Sequence, residues 1–275
     1  MTASILAPLT GDFGTLAAAE LIIVGAACGA VGVWVLHFGQ AILAESFTHA
    51  LLPGLVLATI IGGGLVFGAV AGVVVAYLLL VLASRAPKTS SPSANSVAVT
   101  LLVAIGALLA SRNDVPDFES LLFGDPLAAS GREVGALLVL AVLIALALLL
   151  LEGPFAVLAF DPRAARALGV SPAIFSAVAL ALLAVSVSIA ANVAGSLLAL
   201  GLVTGPALGA LAISDRLRSS LLIAALAGAL SGVAGLYISY YAGWPASASI
   251  AVAICTWAVA ASAAGALRTR PWPLV

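Results

Sequence analysis

The sequence predicts an all-α integral membrane protein, a polytopic bundle of about nine transmembrane helices, and three observations carry that prediction. Of its 275 residues, 64% are hydrophobic and only 8% charged, against about 25% charged in a soluble domain. Apolar stretches of roughly 20 residues, enough to cross a hydrocarbon core of about 30 Å as a helix, recur along the whole chain. The bulk is Ala, Leu, Val and Gly, with 6% aromatic residues. Such small side chains let helix backbones approach closely in lipid, where packing replaces the hydrophobic drive between helices.

In chain order the spans are expected at 16–37, 41–62, 65–84, 94–111, 132–152, 172–190, 194–213, 220–241 and 247–267. The opening "MTASILAPLTGDFG" has no basic residue ahead of its apolar ones, so the first span is expected to stay rather than be cleaved as a signal peptide. Lys and Arg collect on the cytoplasmic side of membrane proteins. With the N-terminus outside, the inner loops carry Arg85, Lys88, Arg163, Arg166, Arg216 and Arg218, and the C-terminal tail adds Arg268 and Arg270. The outer side keeps Arg112 and Arg132 and gathers Asp12, Asp114, Asp117, Glu119, Asp125 and Glu133. The expected topology is therefore N-out and C-in, one transmembrane domain over residues 1–275.

Three connections differ from plain turns or invite the question. The outer segment "NDVPDFESLLFGDPLAAS", 113–130, is too short and polar to span, yet Phe118, Leu121, Leu122, Phe123 and Gly124 form an apolar run suited to a short helix at the outer face. That run is a candidate outer gate. The inner loop "AFDPRAARALGVSP", 159–172, reads as a short amphipathic helix: Asp161 can cap it, Pro162 suits its first turn and Gly169 its end. A helix in a cytoplasmic loop invites a partner. The stretch "SSPSAN", 90–95, reads as an ordinary flexible inner loop.

Several functions are excluded. A net charge of −1 offers no basic stripe for phosphates, so no nucleic-acid partner is expected. ATP hydrolysis by a phosphate-cradling loop needs G-x-x-x-x-G-K-[ST], and the only lysine, Lys88 before Thr89, follows Pro87 where glycine is required. No H-E-x-x-H and no G-x-S-x-G occurs, so the chain does not read as an intramembrane hydrolase or any other enzyme. Cys28 and Cys255 each fall within an apolar span, as small buried hydrophobes rather than a disulfide or a metal clip.

The chemistry that remains is in "AESFTHALLPG", 44–54. Glu45 and His49 are four residues apart, so on a helix they share one face and offer a carboxylate oxygen and an imidazole nitrogen to one ligand. That pair suits a borderline divalent metal such as Zn²⁺, Mn²⁺ or Fe²⁺. Ionisable groups within a span are costly and face a bundle interior or a wet cavity. Pro53 and Gly54 are expected to interrupt the helix one turn later, the setting of a transport site. The plainer alternative is a structural hydrogen-bonded pair that locks this helix to its neighbours. With the span starting near residue 41, Glu45 lies about 6 Å and His49 about 12 Å into it, in the inner half. His37 suits a snorkelling role at the inner end of the first span. Glu20 and Glu152 are expected to be solvated near span ends, and the acidic residues Asp114, Asp117 and Glu119 to belong to a solvated loop.

These residues resemble a known family, the membrane permeases of ABC transporters that import zinc, manganese or iron. Its second-span motif reads approximately G-D-A-[LI]-[SA]-H-A-x-L-P-G, and "AESFTHALLPG" is similar to it at His49, Ala50, Leu52, Pro53 and Gly54. Four further stretches resemble the family in order: "SLLFGDPLAAS" (120–130), "FDPRAARALGV" (160–170), "GLVTGPALGA" (201–210) and "GALSGVAGLYISYYAGWPASASI" (228–250). The resemblance covers nearly the whole chain.

The resemblance implies a multi-pass protein of a bacterial inner membrane, working as a pair with a second copy of itself. It also implies an extracytoplasmic metal-binding protein that delivers the cargo, and a pair of cytoplasmic ATPase subunits that use ATP while this chain binds no cofactor. The coupling helix would comprise Asp161, Pro162, Arg163, Ala165, Arg166, Leu168 and Gly169. Glu45 and His49 would line the metal path, with Ala44-Glu45 standing where the family has Gly-Asp. Two other readings of the residues stay open: an ion-gradient-driven secondary transporter with Glu45 as proton carrier, and a non-transporting membrane scaffold.

Overall fold

Small residues at helical spacing dictate how this chain packs. Leu21, Gly25 and Gly29 recur at four-residue intervals on the first helix, and Ala224, Gly228 and Gly232 do so near the end. A Cβ on Gly25 would lie 2.5 Å from the Gly228 carbonyl oxygen, and one on Gly232 would lie 3.0 Å from the Leu21 side chain. The pairs Leu21–Gly232, Gly25–Gly228 and Gly29–Ala224 run in opposite directions, so the two helices pack antiparallel, backbone against backbone.

The structure is a computed structural model that describes residues 12–63, 65–84, 91–113, 124 and 131–267. The described elements are all helices: α1 (Asp12–His37), α2 (Ala41–Ala50), α3 (Leu52–Ile61), α4 (Leu65–Ser84), α5 (Ser91–Arg112), α6 (Gly131–Phe160), α7 (Pro162–Ala167), α8 (Pro172–Ala194), α9 (Ser196–Ile213), α10 (Leu217–Ala242) and α11 (Ala246–Leu267). Six apolar stretches, Gly14–His37, Ala41–Ile61, Gly131–Phe160, Ile174–Ala194, Leu217–Ala242 and Ala246–Leu267, are long and apolar enough to cross a membrane, and 68–79, 96–112 and 198–213 are shorter apolar helices.

The chain forms two compact units. In one, α1 packs along α10, and α10 along α11. Its core includes Val33, Ala207, Ala210 and Ala224. Trp257 Nε1 donates to the Pro206 carbonyl oxygen at 3.3 Å, tying α11 to the proline-bearing part of α9. In the other unit α2, α3, α4 and α5 pack on one another, and α8 packs on α2 and α4. Ala50, Ala76 and Leu102 meet in its core.

The expected spans lie on helical stretches, the one at 41–62 divided between α2 and α3, with four further differences of detail. Helix α5 begins at Ser91, so residues 91–95 are helical rather than a flexible loop; Pro92 sits in the first turn, where its missing N–H costs nothing. Helix α6 runs past the expected stop at 152 to Phe160, with Pro154 inside it. Glu152 is accordingly half-buried within a continuous helix and not at a span end. Cys28 is buried as expected, whereas Cys255 is exposed on α11.

If the glycine contact holds the α1–α10 pair, Gly228→Ala is expected to lower stability by about 1–3 kcal/mol, the usual range for overpacking. Thermal unfolding of the purified chain in detergent, beside the surface control Leu230→Ala, checks it.

Candidate functional site

The stretch 44–54 occupies two short helices in nearly one line. Helix α2 ends at Leu51, which keeps a right-handed helical conformation (φ −75°, ψ −15°) and starts α3. The interruption is thus at Leu51, two residues before the expected Pro53, because proline is accepted in the first turn of the helix that follows it. Pro53 cannot donate to the His49 carbonyl, and a backbone N–H at the Leu51 cap supplies that bond instead. Gly54 acts as a contact and not as a break: a Cβ there would come within 2.9 Å of the Gly72 backbone on α4. On the other side Gly106 of α5 abuts Pro53, whose nitrogen lies 3.1 Å from where a Cβ would stand.

Helix α2 divides its faces sharply. Ala44, Ser46, Phe47, Thr48 and Ala50 are buried, and the Ser46 and Thr48 hydroxyls donate to the carbonyls of Ile42 (2.7 Å) and Glu45 (2.6 Å). Ile42 and Glu45 are exposed and His49 is half-buried, so the carboxylate and the imidazole stand on the outward side, about 6 Å apart along the axis. Among the described residues no hydrogen bond or ion pair engages the Glu45 carboxylate or the His49 imidazole, and no group of three His, Cys, Asp or Glu gathers around them. The outward stripe continues along α3 with Leu57 and Ile60.

The inner loop folds as its sequence suggests. Asp161 is the N-cap of α7, its Oδ1 accepting from the N–H groups of Arg163 (2.8 Å) and Ala164 (3.0 Å). Those two backbone donors stabilise the ionised form and hold the Asp161 carboxyl below the usual carboxylate range. Pro162 opens the helix, Gly169 leaves it at φ +78°, and Ala165 is buried where α7 meets α8. Arg163, Arg166 and Leu168 are exposed, as is Phe160 just before the cap. The loop therefore offers two guanidinium groups flanked by two large apolar side chains.

Of the candidate outer gate, Phe118, Leu121, Leu122 and Phe123 lie outside the described residues, as do Asp114, Asp117 and Glu119. Gly124 is described, at φ +70°, and a Cβ on it would strike Ala194 and Gly195. Gly195 (φ +84°, ψ 157°) separates α8 from α9 in a conformation essentially reserved for glycine. This second helix break carries no proline and no charge, so the sequence offered little sign of it; Ser196, wholly buried beside it, has no hydrogen-bond partner for its Oγ among the described residues.

The other ionisable groups divide. His37 is half-buried, its Nδ1–H donating to the Val33 carbonyl at 2.8 Å and its ring 6.0 Å from Trp34. Glu20, expected to be solvated, is only 6% exposed. Helix α1 starts at Asp12, which puts residue 20 about 12 Å inside it rather than at a solvated end.

Comparison with known proteins identifies the family. The family model described as "ABC 3 transport family" matches residues 12–265. This chain belongs to that family. It is a multi-pass membrane transport protein and not an enzyme. Among curated relatives, a manganese transport system membrane protein, MntC, of Halalkalibacterium halodurans is 29% identical over 237 residues, covering 86% of this chain and 81% of the relative. MntD of Bacillus subtilis, of the same description, is 30% identical over 239 residues (79% and 80%). A probable iron transport system membrane protein of Haemophilus influenzae is 25% identical over 267 residues (97% and 98%). Of solved structures, PsaBC from Streptococcus pneumoniae in complex with Fab superposes with a TM-score of 0.87 at 23% identity over 92% of each chain, which establishes the shared fold.

The Asp161 cap has a pH signature. Its pKa lies below the ordinary value when α7 is folded, so its contribution is complete above the unfolded value and disappears as pH falls through the folded one. The protection of the Arg163 and Ala164 amides, taken as exchange relative to an unstructured chain at the same pH, is expected to persist through mildly acidic pH and to fall only in stronger acid, whereas Asp161→Ala lowers it already at neutral pH. Hydrogen-exchange mass spectrometry of the reconstituted chain reads both.

Proposed function

We propose that this chain is the membrane-spanning permease subunit of an ABC importer that carries a divalent transition metal, manganese or iron, into the cytoplasm. The observation that carries the proposal is the outward pair on α2: a carboxylate and, one turn on, an imidazole, set in an apolar span with no side-chain hydrogen bond or ion pair engaging either among the described residues. A structural lock would use the pair; a transport path leaves it available. Mixed oxygen and nitrogen donors suit manganese and iron, and zinc accepts them too. The manganese and iron transport named for the relatives supports the first two.

Two donors do not complete a metal's shell. A second copy of the chain, presenting its own Glu45 and His49, would supply the rest together with water, and that is the argument for a homodimer. An exposed carboxylate in the span Ala41–Ile61 is untenable against lipid but reasonable against a wet cavity shared by two copies. Affinity there is modest, since a conducting site must also release.

The remaining parts follow the same logic. The two compact units serve as one permease domain of nine spans, N-out and C-in, which puts Arg163, Arg166, Arg216 and Arg218 in the cytoplasm. Helix α7, with Phe160 and Leu168 exposed beside its arginines, docks a cytoplasmic ATPase subunit. ATP binding and hydrolysis in that partner move α7 and alternate the access of the path. An extracytoplasmic metal-binding protein delivers the ion at the outer face, where the segment bearing Gly124 is the gate.

Uptake of manganese and iron, measured by elemental analysis of cells expressing each variant, tests the reading. Glu45→Gln and His49→Ala are each expected to lower uptake about tenfold or more, as for loss of a metal-site group, while Glu45→Asp retains most of it. Unchanged uptake in both variants would leave the pair structural. Uptake that survives inactivation of the partner ATPase would instead favour a gradient-driven carrier.

A further inference from the structure

Three of the chain's four tyrosines, Tyr237, Tyr240 and Tyr241, lie within five residues at the end of α10, and Trp244 follows in the turn to α11. Tyr240, Tyr241 and Trp244 are 57%, 51% and 57% exposed. Tyr240 and Tyr241 meet edge to face at 5.2 Å between ring centroids, and Tyr237 lies 6.4 Å from Tyr241. The turn is fixed: Gly243 ends α10 at φ +68°, and the Ser239 hydroxyl donates to the Trp244 carbonyl oxygen at 2.7 Å.

Two features say what these rings face. From residue 219 to 267 the sequence has no Asp, Glu, Lys, Arg or His, so the hairpin carries no charge with which to grip a soluble partner. At the opposite end of α10, Arg216 and Arg218 are exposed. From residue 218 to residue 241 the helix rises about 35 Å, enough to cross a hydrocarbon core of about 30 Å with a margin at each end. Between those ends Leu222, Leu226 and Leu230, at four-residue intervals, are 66%, 63% and 67% exposed. The order along the helix is guanidinium groups, an apolar face, then phenol and indole rings, whose apolar bodies and polar tips favour the boundary between acyl chains and water.

We propose that Tyr240, Tyr241 and Trp244 anchor the α10–α11 hairpin among lipid headgroups, at the membrane boundary opposite Arg216 and Arg218. This rests on the membrane-spanning part of the proposed function and not on its cargo, partner or direction. The anchor fixes the depth of α10, and through the Gly25–Gly228 contact that of α1.

The test uses the full-length chain in phospholipid vesicles. The emission lost between the natural chain and Trp244→Phe is that of Trp244 alone. It is expected to be quenched about twofold more by lipids brominated near the glycerol backbone than by lipids brominated near the acyl terminus, as an interfacial indole requires. Quenching by aqueous iodide with none from either lipid would overturn the anchor and mark a water-exposed surface free to meet a soluble protein; stronger quenching from the acyl terminus would overturn it as well. Tyr240→Trp, which adds a reporter to the intact chain, is expected to give the same order of quenching, and the reverse order refutes the proposal by itself. Metal uptake enters neither measurement, so failure of the transport reading leaves this result interpretable.

Discussion

The constraint on which the rest of the structure depends is that backbone N–H and C=O groups have no water to turn to inside a bilayer. It explains why the described elements are helices and why each interruption is guarded. At Leu51 a cap N–H takes over the His49 carbonyl that Pro53 leaves without a donor, and Gly106 closes over the proline from α5. At Gly195 the backbone of Gly124 lies directly against the break. Each gap in the hydrogen-bond ladder is thus met by another stretch of protein.

The same constraint sets what side chains are asked to do. With the hydrophobic drive between helices absent in lipid, association rests on contact distance, and the contacts that bring α1 to α10 involve glycine on both sides. Polar side chains mostly bond back to their own helix, as Ser46, Thr48, Ser186 and Ser188 do to carbonyls of the preceding turn. Glu45 and His49 depart from that habit, which is what separates them chemically from the rest of their helix.

Much of this was legible in the sequence because membrane thickness converts directly into residue count. The spans and the α7 cap at Asp161 needed only hydropathy, Pro162 and Gly169 to be placed. What was not legible depends on neighbours distant in the chain. Nothing local tells that Gly54 is a packing contact with α4, since a glycine after a proline reads as a break. Gly195 looks like one glycine among 27 until its ψ is known. Glu20 reads as an end residue until its helix is seen to start eight residues earlier and its side chain to be buried, and Cys255 reads as buried until α11 shows which side it presents. The Glu45–His49 pair was found by spacing, but its outward placement required the buried faces of α2.

The glycine contact between α1 and α10 has a consequence for how the protein is made. The helix that covers α1 lies some two hundred residues further along, and at ribosomal rates of 5–20 residues per second that interval is roughly 10–40 s. Throughout it the glycine face of α1 has no α10 backbone to close against. Until the last hairpin emerges, Gly25 and Gly29 meet lipid or the insertion machinery in place of their partner. The closest backbone contact of the first helix is completed only by the chain's final quarter.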